Sequence, residues 1–170
     1  MAPNLSLPVS VLYSGDGVIV GEVGPLCVVI WRDEVTRERF EQQRMGLERV
    51  VRKHRPNAAF VCVVEADTKP PSEELRKAST QMLEGFQSDL ACTAGVIEGA
   101  GFKAALTRSV LSGITLLVRN RKSPVSYFAT VSEATAWIAT HMPIDPLALS
   151  RHVENLRAQL APKLQQVSER

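Results

Sequence analysis

Charged and polar side chains stand at the ends of three apolar, strand-like runs in this sequence. The runs are LCVVIW, AAFVCVV and LACTAGVI, and the side chains that close or follow them are Trp31, Arg32, Asp33, Glu65, Asp67 and Glu98. Parallel strands bring their carboxyl ends to one edge of a sheet, where ligands of α/β proteins usually bind. We therefore expect these six residues to share one rim.

Several carboxylates on one rim have two chemical uses. They can coordinate a divalent cation through oxygen, or they can work as a general acid and base pair. No histidine, cysteine or serine nucleophile joins these acids in the sequence. We therefore predict that the rim recognises a partner or a ligand, and we predict no catalytic residue.

Ser72 is the second candidate, and it lies in the stretch VEADTKPPSEEL. A strand ends in two acids, two prolines follow, and Ser72 stands where a helix begins. An N-cap serine accepts a hydrogen bond from the first turn, and acids in that turn complement the helix dipole. A phosphate on Ser72 would gain from the same dipole, but Glu73 and Glu74 would repel it. The pattern favours a helix cap, with a phosphoacceptor as the alternative.

No motif predicts a cofactor or a metal ion. The segment Gly99-Ala-Gly101-Phe-Lys-Ala104 matches the dinucleotide-binding pattern G-x-G-x-x-A in outline, but the next predicted strand does not end in the acid that would hold a ribose. Cys27, Cys62 and Cys92 are far apart, whereas zinc sites use closely spaced ligands. We expect buried free thiols, as in a reducing compartment.

The composition is that of an ordinary globular domain. The 170 residues are 45% hydrophobic and 22% charged, with a formal net charge of +2. Such a small charge does not predict a nucleic-acid partner, and the longest apolar runs are far shorter than the roughly 20 residues that cross a bilayer. The start MAPNLSLPVS lacks the basic region and apolar core of a secretory signal. We expect a cytoplasmic protein without a membrane span.

The apolar pattern alternates between strands and helices after an N-terminal hairpin. The stretch from Val9 to Trp31 is broken by Ser14-Gly15-Asp16-Gly17 and by Gly24-Pro25, which predicts antiparallel strands. Helices then alternate with strands, the last strand being YFATV, an order typical of parallel strands joined by right-handed crossovers. We predict an α/β fold with a mixed, mainly parallel central sheet, flanked by about four helices, plus a C-terminal helix.

The predicted segments are a flexible N-terminus at 1–8, a domain at 9–142 and a helical extension at 143–170. In the extension, apolar residues recur at a heptad-like spacing, namely Leu149, Val153, Leu156 and Leu160. A helix this short is marginal alone and must pack on another surface. Two interpretations stay open: a homodimer contact, which we predict, and packing against the chain's own domain.

Two longer motifs carry a resemblance to a known family. The pattern EGxGFKAAxxRSxxxG is matched from Glu98 to Gly113, and FATVxEAxxWI is matched from Phe128 to Ile138. From about Val9 to His141 the chain resembles the STAS superfamily, best known from bacterial anti-sigma-factor antagonists. Within it, the chain is most similar to the SpoIIAA-like (STAS/CRAL-TRIO-like) bacterial proteins of unassigned function found in myxobacteria. Neither motif is a catalytic signature.

The resemblance implies a non-enzymatic module for protein binding and regulation. In the antagonists, a serine in an Asp-Ser-Ser/Thr-Gly motif at the start of the second helix is phosphorylated, and its charge releases the partner. Ser72 stands at the matching place, but Pro70-Pro71-Ser72-Glu73-Glu74 lacks both the glycine and the Asp-Ser pair. We therefore expect no phosphoserine switch. The alternatives are a small-molecule or lipid-binding protein of the CRAL-TRIO type, with a cavity between helices and sheet, and an enzyme that uses the acidic rim.

Overall fold

The computed structural model describes residues 7–101, 104–105, 107–109 and 123–160. Within these residues, six strands form one sheet in chain order: β1 (Val9–Ser14), β2 (Val18–Val23), β3 (Leu26–Trp31), β4 (Ala58–Val64), β5 (Leu90–Ile97) and β6 (Val125–Phe128). The longer helices are α1 (Arg37–His54), α2 (Glu73–Phe86), α3 (Val131–Ile138) and α4 (Pro146–Ala158). Described residues between 104 and 109 are also helical.

The sheet is antiparallel at its start and parallel afterwards. β1 pairs with β2 and β2 with β3 in antiparallel register, whereas β3, β4, β5 and β6 run parallel. The tight turn between β2 and β3 uses Gly24 at φ 52°, a left-handed conformation that glycine adopts without steric cost. The predicted α/β fold, with its antiparallel start and mainly parallel sheet, is confirmed.

Two apolar layers cover the two faces of the sheet, because successive side chains of a strand point to opposite faces. On one face, Phe40, Leu47 and Val50 of α1 pack with strand residues such as Val20 and Val29. On the other face, residues of α3 and α4 form a second buried cluster with the remaining strand side chains, among them Ile19, Val28, Ile30, Val61, Ala134, Ile138 and Leu149. β3 is buried at every position, as expected of a strand covered on both sides.

The C-terminal helix packs on the sheet of its own chain. Leu149, Val153 and Leu156 are fully buried, and Leu160 is 5% exposed. Asp145 caps α4, and Pro146 occupies its first turn, where a missing N–H costs nothing. The predicted homodimer contact through Leu149, Val153, Leu156 and Leu160 is wrong, because the chain itself already covers these side chains. Packing against the chain's own domain is the interpretation that the structure supports.

Some predicted segments lie outside the described residues. These are most of the helix predicted after Gly101, residues 1–6 of the predicted flexible N-terminus, and residues 161–170 of the predicted extension. The last strand is described, and it ends at Phe128 rather than Val131. Thr130 caps α3 instead, because its Oγ1 accepts a hydrogen bond from the Glu133 N–H. None of the described helices is long and apolar enough to cross a membrane.

Candidate functional site: an ionic cluster at the strand ends

Arg32, Glu65 and Glu98 meet at the carboxyl ends of β3, β4 and β5. The register aligns the last residues of these strands, with Trp31 beside Val64 and Val64 beside Ile97. The residue that follows each strand therefore stands next to its neighbours, as the strand positions predict.

The other three residues of the predicted rim do not join this group. Trp31 is buried on the α1 face, where its Nε1 donates a hydrogen bond to Gln43 Oε1 at 2.9 Å. Its place in the rim is thus wrong, because the alternation of the strand turns its side chain to that face. Asp33 and Asp67 are exposed and make none of the contacts described below. Asp67 adopts φ 66°, which aspartate tolerates better than most residues.

Arg157 completes the group from α4, and no pattern in the sequence points to it. Its Nη1 lies 2.7 Å from Glu65 Oε2 and 2.5 Å from Glu98 Oε1, and its Nη2 lies 3.0 Å from Glu98 Oε2. Arg32 holds Glu65 from the other side, with Nε 2.5 Å from Oε1 and Nη2 3.1 Å from Oε2. We call Arg32, Glu65, Glu98 and Arg157 the ionic cluster.

The ionic cluster is largely shielded from solvent, since its side chains are between 14% and 26% exposed. Burial on its own raises the pKa of Glu65, but hydrogen bonds from Arg32 and Arg157 outweigh it and hold that pKa below its usual value. Burial lowers the pKa of Arg157, but its hydrogen bonds to Glu98 and Glu65 raise it overall. The hydrogen bond to Glu65 likewise raises the pKa of Arg32 above its usual value. Arg32, Glu65 and Arg157 therefore each favour the charged form.

This arrangement limits the chemistry of the two glutamates. All four of their carboxylate oxygens accept hydrogen bonds from guanidinium groups. A general acid needs a pKa near the working pH, and that of Glu65 is shifted away from neutrality. Among the described residues, no group of three or more histidine, cysteine or acidic side chains is placed to hold a metal ion. The cluster is arranged as a structural link between α4 and the strand ends.

Ser72 caps α2. Its Oγ accepts a hydrogen bond from the Leu75 N–H at 3.2 Å, and Glu73 and Glu74 follow in the first turn. The side chain is exposed, and the alternative role as a phosphoacceptor stays untested.

Replacing Ser72 with alanine is expected to lower the free energy of unfolding by about 1 kcal/mol, because the Leu75 N–H loses its acceptor. Urea unfolding measures the effect. Ser72→Asp should retain most of the stability, since aspartate is an equally good cap. Ser88→Ala, at an exposed turn position, is the matched control and should change stability by less than about 0.5 kcal/mol. Equal losses for Ser72→Ala and Ser88→Ala would contradict the capping role.

The three thiols are free. Burial raises the pKa of Cys62 to about 12 and that of Cys92 to about 11. Burial, with a smaller contribution from Cys62 and Glu22, also raises the pKa of Cys27. Because the thiolate is the reactive form of cysteine, these side chains are poor nucleophiles at neutral pH.

A groove of about 320 Å³ lies on the surface between α1 and α2. Apolar side chains line it, namely Phe40, Leu75, Ala78 and Met82, and polar ones stand beside them, namely Arg37, Glu41, Arg44 and Gln81. Phe40 and Leu75 are each 8% exposed, so both side chains line the groove but are largely covered by their neighbours. Arg37 and Glu74 form an ion pair between the two helices.

Comparison with known proteins gives a similarity of fold. No protein-family model matches the chain. No curated protein matches it. A similar solved structure is that of an uncharacterized protein from the DUF3478 family with a SpoIIAA-like fold, from Shewanella loihica PV-4. The match has a TM-score of 0.47 and 14% sequence identity, and it covers 81% of this chain and 98% of that chain. SpoIIAA-like is also the fold named by the sequence resemblance.

Proposed function

We propose that this chain is a non-enzymatic module that binds another protein, in a regulatory role, through the groove between α1 and α2. The observation that carries the proposal is the composition of this groove. Both helices contribute apolar side chains to its lining, and Arg37, Glu41 and Arg44 of α1 contribute charged ones. Protein interfaces combine apolar and polar side chains in this way, and grooves between helices accept amphipathic segments.

The ionic cluster supports a role without catalysis. Glu65 and Glu98 are the acids that a reaction at the strand ends would need, and both are engaged by Arg32 and Arg157. Recognition of a partner at this predicted rim would have to displace bonds inside the chain. We therefore place the partner at the groove rather than at the strand ends.

The CRAL-TRIO-like alternative needs a cavity between helices and sheet. In the described part of the chain, Leu47 and Val50 of α1 pack directly with Val20 and Val29 of the sheet, and all four are fully buried. This packing gives the alternative no support at α1.

A photo-reactive amino acid at Gln81 tests the proposal, because Gln81 lines the groove and is exposed. In the native host it should cross-link one specific protein. Ala78→Arg, which fills the groove, should weaken that association about tenfold or more, as expected for the loss of a central apolar contact. Ala136→Arg is the matched control, because Ala136 is exposed on α3, on the opposite face of the sheet.

Two results would reject this proposal. The first is the absence of any specific cross-link from Gln81 while the variant remains folded by circular dichroism. The second is a cross-link that survives Ala78→Arg or is lost equally with Ala136→Arg, because either outcome would show that the groove does not hold the partner.

A further inference from the structure

β1 is the outer strand of the sheet, and among the described residues no strand pairs with its free edge. Val9 and Val11 of β1 are 39% and 42% exposed, although most large apolar side chains of the described chain are covered. They lie opposite Val23 and Gly21 of β2, so they face the α4 side of the sheet. The sequence of β1, VSVLYS, contains no charged residue.

The hydrogen bonds show which backbone groups of β1 face outward. Gly24 N–H donates to Pro8 C=O at 2.9 Å, so Pro8 directs its carbonyl toward β2. In an antiparallel pair, successive residues direct their N–H and C=O groups alternately to the two sides. Ser10 therefore bonds toward β2, whereas Val9 and Val11 direct their N–H and C=O groups to the free edge. An uncharged outer edge of this kind is a template for another strand.

We propose that a second copy of this chain binds at this edge, with its β1 antiparallel to the first β1 and the two-fold axis beside Ser10. The regular part of β1 runs from Val9 to Val11 and ends at an irregularity between Val11 and Tyr13. An axis beside Ser10 lies at the middle of this regular part. It places Val9 opposite Val11 of the partner subunit, and Val11 opposite Val9 of the partner subunit.

This register gives hydrogen-bond partners to the backbone N–H and C=O groups that face outward. Opposed residues of the hydrogen-bonded type exchange two bonds, so the two Val9–Val11 pairs satisfy the outward N–H and C=O groups of both strands. The exposed valine side chains meet as cross-strand β-branched pairs, which stabilise antiparallel sheets.

A second copy fits this edge better than an unrelated strand. The contact is self-complementary about a two-fold axis, as closed dimers require. Because the strand carries no charge, two copies bring no like charges together, and the strand has no charged side chain to select an acidic or basic peptide. The contact is short relative to a standard interface of about 800 Å² per partner, so the dimer should dissociate on dilution.

Sedimentation equilibrium of the full chain tests the association. The unmodified protein should reach twice the monomer mass at high concentration and return to the monomer mass on dilution. Val11→Lys should remain monomeric throughout, because lysine on an edge strand opposes pairing. Leu147→Lys is the matched control: Leu147 is 73% exposed on α4, and this variant should dimerise like the unmodified protein. A protein that stays monomeric throughout, or equal loss of dimer in both variants, overturns the proposal.

A disulfide tests the register independently of the Val11→Lys variant. Ser10 would face Ser10 of the partner subunit as a non-hydrogen-bonded pair, with Cα atoms about 4.5 Å apart, which a disulfide can bridge. Ser10→Cys should therefore form a covalent dimer on mild oxidation. Ser14→Cys, on the same strand, should not, since its two copies would be about 26 Å apart. Equal cross-linking of the two variants, or a Ser10→Cys bond only to a different protein, would reject the proposed pairing.

Discussion

Replacing Arg157 with methionine is expected to lower the free energy of unfolding by about 3 kcal/mol, the lower end of the usual cost of removing one partner from a buried ion pair, because the ionic cluster is partly exposed. Arg157 contacts both Glu65 and Glu98, and its side chain is 19% exposed. Methionine keeps much of the packing volume but donates no hydrogen bond. Glu98 loses its bonds from Arg157, and Glu65 retains only Arg32. Urea unfolding at neutral pH measures the loss.

Arg52→Met is the matched control for this prediction. Arg52 also pairs with a glutamate, Glu48, but its side chain is 75% exposed. Water and salt screen such a pair, so the control should cost less than about 0.5 kcal/mol. Similar losses for the two variants would show that the ionic cluster behaves as an ordinary surface pair.

The pH dependence gives a second readout of the ionic cluster. The pKa of Glu65 in the folded chain lies below its ordinary value of 4.5. A carboxylate with a lowered folded pKa contributes stability that is present above its unfolded pKa and is lost as the pH falls through the folded pKa. The difference in unfolding free energy between the unmodified protein and Arg157→Met should therefore be largest near neutral pH. It should decrease as the pH falls below 4.5, the ordinary pKa of Glu65. A difference that stays constant into that acidic range would contradict the role of Glu65.

Replacing Leu156 with alanine is expected to lower the free energy of unfolding by about 3 kcal/mol, because it leaves a cavity between α4 and the sheet. Leu156 is fully buried and lies over Gly21 of β2. A Cβ atom at position 21 would lie 2.7 Å from Leu156 Cδ1, so Gly21→Ala alone should also destabilise, by about 1–3 kcal/mol through overpacking.

The double variant Gly21→Ala with Leu156→Ala tests whether Leu156 packs directly against Gly21. The alanine methyl at position 21 should occupy part of the space that Leu156 leaves, so the combined loss should be smaller than the sum of the single losses. Urea unfolding of the four proteins of this cycle measures the difference. Leu147→Ala, on the exposed side of α4, should cost less than about 0.5 kcal/mol. Additive losses would mean that Leu156 and Gly21 do not touch.

The order of elements could be predicted from the sequence because it depends on local patterns. The glycines and Pro25 between β-branched runs predict the antiparallel start, and the period of apolar residues predicts α1 and α2. The predicted last strand YFATV ends at Val131, three residues beyond the observed end of β6 at Phe128. The cap formed by Thr130 starts α3 there instead.

The charged site could be predicted only in part. Strand ends bring Glu65 and Glu98 together, since parallel register follows from the alternation of strands and helices. Arg157 is 59 residues beyond Glu98 on a helix whose apolar spacing gives no sign of what its polar side approaches. Its role depends on where α4 crosses the sheet, and nothing local to α4 encodes that position.

The sequence by itself determined the α/β order, the helix cap at Ser72 and the apolar stripe of Leu149, Val153, Leu156 and Leu160. These are short-range properties, because the spacing of residues along the chain produces them directly. Only the tertiary structure decided that this stripe covers the chain's own sheet and that Glu65 and Glu98 pair with Arg32 and Arg157. It also decided that no strand of the described residues pairs with the outer edge of β1. The physical reason is that an apolar side chain requires an apolar partner and a charged one an opposite charge. Which residue supplies that partner depends on which elements meet in space.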